Sequence, residues 1–227
     1  MVKKNGNPSI RNLSRVAGLL GLLVLICGSL THSFNTEIIH LSDPSTTANN
    51  FSTMASKYRI GFVSGLLMET IFVFYACLLY YLLRPVHKDL AKLMLVLALL
   101  PAPIFFINQL NHFAAFLAAN QDMAQMMFYL KLHKHGGFII SIFFGLWLFP
   151  LGLLVYQSTF LPKILGILLM IGCFGYLISF VQGFLWPDYQ ATLWTNPVLV
   201  VTHIAEILLM LWLLILGINQ EKYNQSR

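Results

Sequence analysis

Six long apolar runs alternate with polar segments along the chain, approximately Val16 to Phe34, Ile60 to Leu83, Leu93 to Phe116, Gly137 to Tyr156, Ile164 to Phe184 and Pro197 to Gly217. A bilayer core of about 30 Å takes roughly 20 helical residues, each rising about 1.5 Å, and every run is close to that length. Barrel strands would read as short segments of alternating polarity; unbroken runs of this kind predict helices. The pattern predicts an all-α integral membrane protein, a six-transmembrane-helix bundle.

The segments between the runs differ in character. Arg84-Pro85-Val86-His87-Lys88-Asp89 and Gln157-Ser158-Thr159-Phe160-Leu161-Pro162-Lys163 each carry a proline, which cannot continue a preceding helix, and both read as tight hairpin turns. Pro101 and Pro103 in the third run and Pro150 in the fourth predict kinks. Thr31 to Tyr58 is polar and reads as a solvated loop centred on residues 35–59. Met123 to Leu132 reads as an extension of span four or a short interfacial helix. Trp186, Pro187, Asp188, Tyr189 and Trp194 read as part of an interfacial aromatic belt. The expected organisation is an N-terminal segment 1–15, one polytopic domain 16–217 and a tail 218–227. The first run has no small-x-small cleavage site after it and reads as a retained anchor.

Composition narrows the class further. Of 227 residues 58% are hydrophobic and 10% charged, against roughly 25% charged in an average soluble domain. So few charged side chains could not cover a soluble globule, which excludes a soluble enzyme, a disordered chain and a disulfide scaffold. Cys27, Cys77 and Cys173 all lie within apolar runs and read as packing residues. The net charge of +6 forms no patch, so the expected partner is the lipid bilayer and not nucleic acid. Lysines and arginines favour one side: ten fall in the segments that share a side with the N-terminus and four (Lys57, Arg59, Lys131, Lys134) on the other. The positive-inside rule then puts both termini in the cytoplasm.

Small residues recur at four-residue spacing in Gly61 and Gly65 and in Gly175, Ser179 and Gly183, the signature of close helix packing in lipid. The chemistry-bearing residues are the polar ones at membrane depth. Glu69 lies nine residues past Ile60 and Glu206 nine past Pro197, so both sit roughly 13–14 Å below the outer surface. A lipid-exposed carboxylate there would cost about 2.5 kcal/mol or more, so both should face a common interior. His203 precedes Glu206 by three positions and shares its helix face. His112, beside Asn108, Gln109 and Asn111, and His133 fall in the outer half as well. A pocket opening outward would gather Glu69, His112, His133, His203 and Glu206.

Three readings of such a pocket stand side by side. The polar groups serve only to hold helices together; or they bind or move a small ligand, ion or proton; or they hold a metal for hydrolysis at the outer face. No His-x-x-x-His, His-Glu-x-x-His, phosphate loop or dinucleotide fingerprint occurs, so the metal reading is the weakest of the three. The best functional class is a small-ligand or ion-binding membrane protein, with no metal or cofactor expected, and the metal-dependent hydrolase and purely structural readings stay beside it as alternatives.

Arg15–Leu20, Leu78–Val86, Leu161–Gly166, Gly175–Ile178 and Glu206–Leu214, in that order and spacing, resemble a bacterial family of small multi-span membrane proteins catalogued only as a domain of unknown function. The resemblance runs from about Arg15 to Gly217. It implies a multi-pass protein of the bacterial cytoplasmic membrane and supplies no activity. Members usually carry the same residue at the positions of His133 and Glu206. They often carry an acidic residue at the position of Gly65; here Glu69 lies one turn deeper.

Overall fold

A computed structural model describes residues 9–186 and 196–225. Within them the chain is helical: α1 (Ile10–Ile38), α2 (Pro44–Thr53), α3 (Ala55–Leu83), α4 (Lys88–Leu99), α5 (Pro101–Ala118), α6 (Met123–Leu146), α7 (Leu148–Gln157), α8 (Lys163–Leu185), α9 (Pro197–Ile215) and α10 (Gln220–Gln225). Six stretches are long and apolar enough to cross a membrane: α1, α3, α4 with α5, α6 with α7, α8 and α9. Their outward faces are apolar. Ile107 and Leu110 are 67% and 66% exposed, as residues facing acyl chains would be. The molecule is a multi-pass membrane protein.

Prolines divide the third and fourth spans. Pro101 has no N–H to offer the carbonyl of Leu97, and the helix breaks between Leu99 and Pro101. Pro150 likewise has no N–H to offer the Leu146 carbonyl, and the helix is divided at Trp147, between α6 and α7. Both proline-bearing connections are tight turns. After the first, the His87 ring caps α4 by accepting from the Leu90 amide at 3.2 Å.

The segment read as a solvated loop between the first two spans is mostly helix. Asp43 accepts from the Thr46 amide at 3.0 Å and Pro44 occupies the first turn, which starts α2. The same carboxylate takes the Ser45 and Thr46 hydroxyls, and these bonds hold its pKa down at about 2. The helix is anchored by Phe51, which is buried edge-on against Tyr58 and Phe116. Met123 to Leu132 is the continuous start of α6. Of the expected aromatic belt, Trp186 is exposed, while Pro187, Asp188, Tyr189 and Trp194 lie outside the described residues.

Each span packs on its neighbours in sequence, and α9 returns to pack on α1, closing a ring. The start of α1 and the segment that follows α9 meet at one face. The Ile10 amide donates to the Gln220 side chain at 3.1 Å and the Ile218 amide to the Ser14 hydroxyl at 2.9 Å. This terminal face is filled by apolar side chains including Leu79, Met94, Leu154 and Tyr223. A second cluster, around Phe51, Tyr58, Ala115 and Met126, fills the far face. Glycines set the close approaches. A Cβ at Gly152 would come within 2.6 Å of the Gly166 carbonyl oxygen across α7 and α8. Gly61 and Gly65 face Phe34 and Thr31 of α1, and Gly175 faces Thr202 and Leu199 of α9.

Candidate functional site

Glu69 is the central residue of the 29-residue helix α3, and Glu206 the central residue of the 19-residue helix α9. Both line a cavity of about 580 Å³ inside the ring, whose wall includes Phe72, Tyr75, Trp147 and Leu169 of the first apolar cluster. That volume is in the usual range for small-molecule sites, roughly 300–1,000 Å³. The walls come from α1, α3, α8 and α9 and from the α6–α7 break. A depression of similar volume at the terminal face, beside Arg11 and Trp212, holds none of the sequence-predicted site residues.

The two carboxylates have different surroundings. Glu69 is fully buried, and neither of its oxygens has a hydrogen-bond partner in the protein. Glu206 is partly exposed; its Oε2 accepts from the Tyr176 hydroxyl at 3.2 Å and lies 3.7 Å from Nδ1 of His203. An uncompensated buried carboxylate is costly, and a cavity gives it room for a partner that is not protein. Trp147, at the break between α6 and α7, lines the same cavity with its indole N–H unpartnered. Ser29 and His32 on α1 and His203 on α9 are exposed lining residues and mark the mouth between these helices.

The cavity therefore unites Glu69, His203 and Glu206. His112 and His133 stand elsewhere. Their rings stack on each other at 4.4 Å across α5 and α6, under the ring of Tyr58. Asn108 donates to the His133 carbonyl at 3.0 Å, and His133 Nδ1–H returns a bond to the Asn108 carbonyl at 3.1 Å. The Tyr58 hydroxyl donates to the His112 carbonyl at 3.2 Å. Gly136 makes this clasp fit, because a Cβ there would sit 2.2 Å from Asn108 Oδ1. The face of α5 that carries His112 turns toward α6 and α3, and none of the described lining residues of the cavity comes from α4 or α5. Among the described residues, no three His, Cys, Asp or Glu side chains are grouped to hold a metal ion.

Sequence reasoning passed over Phe72, Tyr75, Trp147 and His32 as lining residues. Phe72 was within reach, since it follows Glu69 by three positions and shares its helix face. Trp147 was not, because only the closed ring turns the fourth span to face the second across its interior.

No solved structure matches the chain. An uncharacterised protein of Archaeoglobus fulgidus is 34% identical over 142 residues, which is 63% of this chain and 74% of that protein. The family described as a domain of unknown function, DUF4386, matches residues 16–217 and so takes in the membrane ring from α1 to α9. The chain belongs to that family.

Proposed function

We propose that the protein sits in the cytoplasmic membrane with both termini in the cytoplasm and binds, and so can move, a small ligand or ion in the central cavity. Glu69 and Glu206 supply the charge and His203 sits at the mouth. The observation that carries the reading is Glu69: a carboxylate at the centre of a spanning helix, fully buried in the wall of the cavity and without a protein partner. A carboxylate kept only to hold helices together would be hydrogen-bonded across them. The His112–His133 pair fits that holding role instead, since its polar contacts join α5 to α6.

The test compares purified wild type with Glu206→Gln, which keeps shape while removing charge. Thermal stability is followed from pH 5 to 8 and with sodium, potassium or divalent metal salts. A site responds to pH or an added solute in the wild type and loses that response in the variant. Identical profiles for the two proteins would reject the site.

A further inference from the structure

We propose that the ligand of the cavity is an organic ammonium ion, a positively charged nitrogen carrying apolar substituents; this rests on the cavity reading above. Two features of the wall point to it together. First, the described lining residues include two carboxyl groups and two histidines but no lysine or arginine, so no permanent cation competes for the carboxyl groups. Second, the wall between the carboxylates is aromatic. Tyr75, Trp147, Phe72, Phe144 and Tyr176 form a continuous chain of ring contacts that ends on His203. The Phe72 and Trp147 centroids are 5.1 Å apart at 87°, and those of Phe72 and Phe144 are 5.3 Å apart at 76°.

A hard inorganic cation such as calcium needs about six to eight oxygen ligands to replace its water. The side-chain oxygens of this wall belong to Ser29, Glu69, Tyr75, Tyr176 and Glu206, and they share it with a π surface that a hard ion does not use. An alkylated ammonium ion holds its water weakly, and ring faces stabilise it as well as carboxylates do. The orphan indole N–H of Trp147 supplies a donor for a hydroxyl or carbonyl on the same molecule. The mouth fits such a ligand too. It opens through the side of the ring between α1 and α9, where exposed Leu30 and Ile204 flank it, so a molecule with an apolar body can arrive from the bilayer.

The experiment uses the full chain purified in a maltoside detergent, titrated with tetraethylammonium, with choline and with the neutral isostere of choline in which a tert-butyl group replaces the trimethylammonium. Thermal stability is the readout, with sodium, potassium and zinc salts as parallel arms. Tetraethylammonium and choline are expected to stabilise the wild type saturably, choline binding at least about tenfold more tightly than its isostere. Glu69→Gln is expected to weaken ammonium binding by at least about tenfold, and Glu206→Gln provides the same comparison should the first variant not fold. Equal binding of choline and its isostere would overturn the inference. A response to sodium, zinc or pH that depends on the carboxylates, with none to the ammonium compounds, would also overturn it while leaving the cavity reading intact. If no solute or pH distinguishes wild type from the carboxylate variants, both readings fall.

Discussion

Gly18 of α1 lies against the backbone of Leu214 in α9, so closely that a Cβ at Gly18 would stand 2.4 Å from the Leu214 amide nitrogen. Backbone cannot move aside as a side chain can. We expect Gly18→Val to force α1 and α9 apart and to destabilise the protein by about 1–3 kcal/mol or more, read as a lowered melting temperature. Gly137, inside α6, has no atom within 4 Å of the position of a Cβ. Gly137→Ala should therefore stabilise by up to about 1 kcal/mol through helix propensity alone. Equal effects at the two positions would refute the packing assigned to α1 and α9.

Replacing Glu69 by leucine separates stability from binding. It removes two unpartnered buried oxygens, so the variant should be at least as stable as the wild type, by about 1 kcal/mol in its favour, while losing every carboxylate-dependent ligand response. A strongly destabilised Glu69→Leu protein would mean that this carboxylate has a structural partner.

Asn196 should be the costliest polar residue of the α8–α9 interface. Its side chain caps α9 by accepting from the Leu199 amide at 3.1 Å and donates to the Gly175 carbonyl and the Ser179 hydroxyl at 2.9 and 3.0 Å. Asn196→Ala removes the cap and two buried hydrogen bonds to α8, a loss of about 2–4 kcal/mol. Unfolding measured beside Asn224→Ala, on the exposed α10, gives the comparison.

The cap of α2 supplies a pH control. Hydrogen bonds from Thr46 and Ser45 lower the Asp43 pKa from the ordinary 3.8 to about 2. A depressed carboxylate contributes stability that is fully present above its unfolded value and is lost as pH falls through the folded one. Hydrogen exchange at the Thr46 amide should thus report an intact cap from pH 5 to 8 and a failing one only near pH 2. Any change between pH 5 and 8 that requires Glu206 then originates elsewhere.

Topology is tested with single cysteines in a background lacking Cys27, Cys77 and Cys173. Ser42→Cys, between α1 and α2, should react with a membrane-impermeant reagent in intact cells, and Gln225→Cys should react only after lysis. The opposite pattern would invert the proposed orientation.

The spans were legible because each apolar run is long enough to cross a bilayer by itself, and the breaks near Pro101 and Trp147 because proline removes a known hydrogen bond. That Glu69 and Glu206 line one cavity was legible for a similar reason. Two charges at one depth in lipid have few places to go other than a shared interior. Helix α2 was hidden by its polarity, although Asp43 followed by Pro44 is a cap and first-turn pair that carries the signal. The partner of His112 could not be read. A span's sequence gives the depth of a residue, while the helix it faces depends on the order of the ring. The aromatic wall was concealed too, since Trp147 meets Phe72 only once the closed ring turns the fourth span to face the second across the interior.

The hydrogen bond from Ile218 to Ser14 joins residues 204 positions apart. At a synthesis rate of about 5–20 residues per second, the first helix waits roughly 10–40 s for the partner that closes the ring. During that time the glycine face of α1 is open to lipid or to the insertion machinery, and the cavity has no Glu206 and no far wall. A chain interrupted before α9 would leave Glu69 at mid-membrane on an open ring. Biogenesis thus has one late, decisive event, the docking of α9, and any binding activity begins with it.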